Sequence, residues 1–453
     1  MARYLTLLAA VLLAGGVSGC NRSLKVVYPR HLPAGAIIPC GDVYLSSPVE
    51  FIAAGKYLVV GEDFAPHAVD VDSGAAAPGP SGRVVAVSRS GLAVFDETYS
   101  VETERHRPPS RQMNLWDLSD RSPRLVRRWS AGPSDWWCAL SPDGKHLAFL
   151  KNERVWLCNA ADGASARQVT EEAASPLAFS PDGSILACLV AMSEGSRSGV
   201  ALWNVAEGRL LHTLDPGAGY SQAGIWTIVF SADGRTLVVR HSYIPPPNPD
   251  LDPLGLTYEP RPVAETVVYN VDGGTELLRT SGGAALTGDR RFLIDYRDKP
   301  DPTGAGLAVY DLSTGREARR LRAGWRGALA PGTSLYAARV PSDSADSRIC
   351  EIGLWDLATG AQVRRLPPVE DWWDCTALSP DGRLVVLSTV SRMRVADFAT
   401  GHTVLEVYKP PRGETGVYVG RIAVFSPDGK HLVFSVGGQG FIVNLDAIRT
   451  AGG

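Results

Sequence analysis

Two short segments, DWWC at 135–138 and DWWDC at 371–375, set carboxylates beside tryptophans. Trp226 and Trp325 stand at the same offset before a turn motif as Trp136. Tryptophan brings a large contact area and one N–H donor, which suits a surface that grips a peptide or ligand. The same regular recurrence also suits packing between repeated units. The candidate binding residues are therefore Asp135, Trp136, Trp226, Trp325, Asp371, Trp372 and Asp374. If the chain were a hydrolase, Asp135, Asp371 and Asp374 would be its candidate carboxylates. Cys350 and Cys375 form a candidate disulfide. No GxSxG, HExxH, P-loop or EF-hand pattern occurs, so no catalytic residue is assigned. The histidines are not at metal-ligand spacing, and neither a metal nor a cofactor is expected. His146 and His431 occupy one repeat position and read as structural. Asp70 and Asp72 belong to a turn.

The chain has 453 residues, 45% hydrophobic and 21% charged, with a formal net charge of -3. That length exceeds one ordinary core and calls for several domains or a repeat architecture. The near-neutral charge argues against nucleic acid as a partner. Its 47 glycines and 32 prolines are dispersed, as many short turns would require. The N-terminus places Arg3 before an apolar run from Tyr4 to Ala14, and small residues follow. This is the layout of a secretory signal, and the run is short for a permanent membrane span. Val17-Ser18-Gly19-Cys20 resembles the lipobox of bacterial lipoproteins. That resemblance implies cleavage before Cys20, attachment of lipid to its thiol, and an address in the cell envelope on the periplasmic or surface face of a membrane.

The rest of the chain repeats. LSPDG occurs at 140–144 and 378–382, FSPDG at 179–183 and 425–429, and FSADG at 230–234. Each joins two apolar, β-rich runs, so each predicts a hairpin. Proline presets φ, aspartate bonds to nearby backbone, and glycine accepts positive φ. A second signature follows: an apolar strand closed by Asp or Asn. It reads NLWDLSD at 114–120, ALWNVAEG at 201–208, VVYNVDGG at 267–274, AVYDLSTG at 308–315 and GLWDLATG at 353–360. Fainter copies bring the total to nine, the faintest at 68–74. Four strands in roughly 40–50 residues is the period of a propeller blade. The units resemble WD-repeat blades, and the SPDG hairpins resemble TolB-type propeller repeats. The Gly-His pair that opens a WD repeat is absent, so that family's inner hydrogen-bond network is not carried over. The expected fold is all-β: a single β-propeller of four-stranded blades, eight in number within a range of seven to nine. Residues 1–19 read as signal peptide, 20–46 as the lipid-anchored N-terminal segment able to close the last blade, and 47–453 as the propeller. The last blade lacks an outer strand of its own, and SLKVVYP at 23–29 is the expected closing strand.

Connections between first and second strands, and between third and fourth, are short. Those between second and third strands are long at 97–112, 193–199, 244–265, 297–306 and 341–351. One end of the repeats is trimmed and the other elaborated. Loops on a rigid scaffold are where folds carry function. Arginines recur on predicted outer strands (Arg127, Arg128, Arg319, Arg320, Arg364, Arg365), as on solvated edges that resist pairing. The expected function is a non-enzymatic, lipid-anchored scaffold that holds a protein partner at its loop-rich face. The alternative is a propeller hydrolase or small-ligand binder working at the channel mouth.

Overall fold

The computed structural model describes residues 25–28, 36–44, 49–52, 55, 57–60, 68–75, 82–97, 110–120, 122–132, 137–170, 174–191, 198–216, 224–243, 263–281, 283–296, 306–324, 327–340, 349–370, 373–408, 419–436 and 439–451. The chain divides into two compact units, one of residues 65–67 with 77–321 and the other of the remainder. Both are built from antiparallel sheets in which strands follow one another in chain order, apart from two edge strands drawn from the N-terminal segment.

The unit of residues 77–321 holds five four-stranded sheets. They run from Arg83–Val87 to Arg124–Ala131, Cys138–Leu140 to Arg167–Gln168, Ala174–Phe179 to Arg209–Leu214, Gly224–Phe230 to Glu276–Ser281, and Gly283–Leu286 to Arg316–Leu321. Counted along the chain, these are the second to sixth sheets. Successive sheets share apolar layers. Leu202 and Leu214 of the fourth pack with Val239, Val267 and Tyr269 of the fifth. Val238 and Val268, on the other face of the fifth, pack with Leu293 and Leu312 of the sixth. The period of two along each strand thus feeds two different layers.

The other unit holds four sheets. The first, Val49–Ile52, Tyr57–Val60 and Ala68–Asp70, has three strands among the described residues. The seventh runs from Gly327–Leu329 to Ala361–Arg365, with Val369–Glu370 added to its third strand. The eighth runs from Asp374–Leu378 to Thr403–Tyr408. The ninth has Val419–Phe425, His431–Val436 and Gln439–Asn444. Eight sheets therefore carry at least four strands, the antiparallel unit of a β-propeller, and the faintest repeat makes the three-stranded one.

The closing strand differs from the expectation. Ile37–Tyr44 supplies the fourth strand of the ninth sheet, pairing Ile37 with Val443 and Tyr44 with Gln439. Lys25–Tyr28, from the expected SLKVVYP, instead adds a fifth strand to the eighth sheet. Both segments are β-rich, and pairing along an outer edge is long-range, so local pattern does not choose between them. Pro39 lies within that strand and has no N–H to donate. It is accommodated on the edge, where the register shifts between Pro39 and Tyr44. After Asn444 the chain turns into the helix Leu445–Ala451. Asn444 caps it by accepting the Ala447 N–H at 3.0 Å.

The repeated turns owe their shape to one hydrogen-bond pattern. Ser141, Ser180, Ser231, Thr287, Ser379 and Ser426 are buried, and each donates its hydroxyl to the aspartate two residues on, at 2.5–2.7 Å. That carboxylate accepts the N–H two residues further. The same hydroxyl oxygen accepts the N–H five residues on, as from His146 at 2.9 Å. The Ser141 bond leads the causes that lower Asp143 to about 2. The glycine after the aspartate, as Gly144 at φ 75°, takes the left-handed conformation that closes the turn. In the sixth sheet Arg290 takes that conformation, at φ 54°. The third-strand signatures also work locally. From Asp70 to Asn444, each of the nine terminal Asx side chains accepts a backbone N–H two or three residues on.

Candidate binding surface at the loop-rich ends of the sheets

The two kinds of turn lie at one end of each sheet and are bonded to each other. Ala160 N–H donates to Lys145 O, Val205 to Ser184 O, Val271 to Arg235 O, Leu357 to Ser334 O, Phe398 to Arg383 O and Leu445 to Lys430 O, at 2.8–2.9 Å. Side chains reinforce this trimmed end across neighbouring sheets. Arg167 donates to Ala206 O at 3.2 Å and also to Val205 O. His212 Nε2 lies 2.7 Å from Asp272 O. A Cβ on Gly274 would lie 2.9 Å from the His212 ring, so that turn needs its glycine for close approach as well as for φ.

At the opposite end stand the roots of the long connections: Asp96 and Arg111, Ala191 and Ser198, Tyr243 and Val263, Tyr296 and Leu307, Val340 and Ile349. In the second, fifth, seventh and eighth sheets charged side chains join the apolar layers here. In the second sheet, buried Asp96 meets Arg111 at 2.5 Å across the second and third strands. In the fifth sheet, His241 stands opposite Glu265. Its Nε2 is 3.5 Å from a Glu265 oxygen, to which Arg279 also donates at 2.9 Å. Arg279 reaches Glu276 at 2.6 Å and Pro216 O at 2.6 Å, and Tyr269 donates to Asp215 O at 2.9 Å. The segment entering the fifth sheet is thus pinned by its outer strands. Burial lowers the His241 pKa against the pull of Glu265, so the imidazole is neutral at pH 7.

In the unit that holds the seventh and eighth sheets, Trp373 is buried. Its carbonyl accepts Arg339 Nε at 2.9 Å, and the Arg394 guanidinium lies 5.0 Å from its ring centroid. Arg394 in turn holds Glu406 at 3.1 Å, and Arg365 pairs with Glu351. Asp374 is the most open carboxylate of this group, 3.9 Å from Arg339. Trp373 and Cys375 lie two apart and share one apolar cluster, whereas Asp374 between them is more exposed. Within DWWDC, then, the second tryptophan packs between sheets.

Of the sequence-derived candidates, Asp135, Trp136, Trp325, Asp371 and Trp372 lie outside the described residues, as does Cys20. Trp226 lies on the strand Gly224–Phe230, its side chain outside the described set. Cys375 is buried, and the side chain of Cys350 is likewise outside the described set. The His241, Glu265 and Arg279 group escaped sequence reasoning because strand register alone brings these residues together. A weak signal existed: histidine and glutamate sit where the alternation of two strands assigns inward positions. Among the described residues no group of three or more His, Cys, Asp or Glu side chains is placed to hold a metal ion. This end carries paired charges, some of them buried, with Trp137 partly exposed at the entry to the third sheet.

No protein-family model matches the chain, and no curated protein matches its sequence. Solved structures do resemble it. Porphyromonas gingivalis dipeptidyl peptidase 4 superposes with a TM-score of 0.50 at 11% identity, over 88% of this chain and 64% of that one. The chain therefore spans less than two thirds of the peptidase. A eukaryotic initiation factor superposes with a TM-score of 0.50 at 13% identity, over 81% of this chain and 91% of that one. At such identities the likeness shows the fold, a β-propeller, and carries no activity across.

Proposed function

We propose that this chain is a non-enzymatic scaffold of the bacterial cell envelope, lipid-anchored through Cys20, that binds a protein partner at the loop-rich ends of its sheets. The observation that carries this reading is the contrast between the two ends. Seven of the first-to-second-strand turns have the same five-residue length, from 141–145 to 426–430, and six of them share one hydrogen-bond pattern. The second-to-third connections at the other end vary from the two residues Asn152–Glu153 to 244–262. Uniform turns hold a frame, and variable segments on a rigid frame supply recognition. An anchor at Cys20 would confine the protein to a surface where partners are concentrated.

Two measurements test the proposal. Mass spectrometry of the N-terminal peptide should show a diacylglycerol adduct on Cys20 and no residues before it. Capture from solubilised envelope with the full chain should recover a partner that a chain lacking 246–261 fails to hold. An unmodified Cys20 would remove the anchor from this account, and equal capture by both chains would remove the loop-rich end.

A further inference from the structure

We propose that the loop-rich end of the eighth sheet, around Val390, Arg392 and Tyr408, faces the lipid bilayer and contacts its headgroups. The inference rests on the anchor at Cys20 and adds the orientation that the anchor imposes. Lys25 is the first described residue of the mature chain and pairs with Tyr408, the last residue of the strand Thr403–Tyr408. That strand leaves the trimmed end at His402, so Tyr408 stands at the loop-rich end. The chain then runs down the sheet, since Tyr28 pairs with Glu406. The polypeptide therefore enters from the loop-rich side.

Asn21, Arg22, Ser23 and Leu24 separate Cys20 from Lys25. Fully extended, that tether spans about 18 Å. The strand beside it, Thr403–Tyr408, rises about 17 Å over its own five steps, and the turn from Phe398 to Gly401 lies beyond its lower end. With the trimmed end against the membrane, Lys25 would stand a strand length plus that turn above it, and the tether would have to be fully extended and still fall short. With the loop-rich end toward the membrane, the tether has length to spare.

The side chains at that end have interfacial chemistry. The link from the strand Leu384–Ser388 to Arg392–Asp397 is a tight turn, as is Asn152–Glu153 in the third sheet. Thr389 N–H donates to Arg392 O at 2.8 Å, and Thr389 Oγ1 accepts the Arg392 N–H at 3.0 Å. Val390 at its tip is 48% exposed. Beside it the exposed Arg392 guanidinium lies 5.5 Å from the Tyr408 ring centroid. An apolar tip flanked by tyrosine and arginine is what the headgroup region selects, tyrosine for its amphipathic ring and arginine for anionic phosphate. A partner held at this end would then itself be membrane-associated.

The test uses the full-length, processed protein in its own membrane. The photoreactive residue benzoylphenylalanine replaces Val390 in one variant and Ala399 in another. Ala399 is exposed in the turn at the trimmed end of the same sheet. Phospholipid is metabolically radiolabelled, cells are irradiated, and label on the purified protein is counted. Mass spectrometry of the Cys20 peptide is run on the same samples, and unfolding midpoints confirm that both variants fold. The expected result is acylated protein with several-fold more phospholipid adduct at position 390 than at 399. Acylated protein with equal adducts, or more at 399, overturns the orientation and leaves the anchor standing. Unacylated Cys20 overturns the anchor, and this orientation with it.

Discussion

Replacing Ser141 by alanine is the sharpest test of how the trimmed end is held. Ser141 is fully buried. Its hydroxyl donates to Asp143 at 2.7 Å and its oxygen accepts the His146 N–H at 2.9 Å. A hydrogen bond to a charged group contributes about 1.5–3 kcal/mol, and an orphaned buried donor costs about 1–3 kcal/mol. The Asp143 side chain is 46% exposed, so water screens and partly replaces the first contribution. The expected loss at neutral pH is roughly 2 kcal/mol after that discount. Part of it must depend on pH. The Ser141 bond, helped by the Lys145 N–H and ammonium, holds Asp143 near 2 against an ordinary 3.8. The stabilisation is therefore fully present above pH 3.8 and is lost as pH falls toward 2. Urea unfolding of the wild type, Ser141→Ala, Asp143→Asn and the double variant, followed by tryptophan fluorescence at pH 7 and at pH 2.5, measures both parts. The cost of Ser141→Ala should shrink at pH 2.5 and should be smaller in the Asp143→Asn background. A cost below about 0.5 kcal/mol at pH 7, or the same cost at both pH values, would refute the argument.

Other consequences are open to measurement. Arg290 sits left-handed where sibling turns have glycine, a strain of about 1 kcal/mol, so Arg290→Gly should raise the unfolding midpoint; a lowered midpoint contradicts the strain assignment. Burial pushes the Cys188 thiol up to about 12, so iodoacetamide at pH 8 should leave it unmodified in the native protein and alkylate it after denaturation; mass spectrometry reads the difference. Burial also lowers the His241 pKa below 6.5, so the unfolded chain binds the extra proton and stability should fall as pH drops below 6.5. His241→Gln should flatten that part of the profile of thermal midpoint against pH, and an unchanged profile counts against it.

The parts of this fold legible in sequence are those whose causes are local. SPDG and the Asx-terminated strands are visible because each makes its bonds within five residues: Ser141 to Asp143, Asn204 to Glu207, Asp356 to Ala358. Their spacing gives strand order, since antiparallel meanders pair neighbours along the chain. Outer-edge pairing was not legible. Lys25–Tyr28 and Ile37–Tyr44 compete for edges hundreds of residues away, and the winner depends on which edge each can reach. The charged group at His241 was hidden for a related reason. Glu265 meets His241 through strand register across the long 244–262 connection, and Arg279 arrives one strand later. Trp373 shows the limit of reading residue type alone, since the two tryptophans of DWWDC differ by one position and the described one is a packing residue.

The central claim is that the loop-rich ends recognise a protein while the trimmed ends only hold the frame. Its most direct test is quantitative capture from native envelope with three full-length baits: the wild type, the chain lacking 246–261, and Lys145→Glu with Arg235→Glu on the trimmed end of the same unit. One set of proteins should be held equally by the wild type and the trimmed-end variant and lost by the deletion. Capture that survives the deletion and is lost on trimmed-end charge reversal would contradict it.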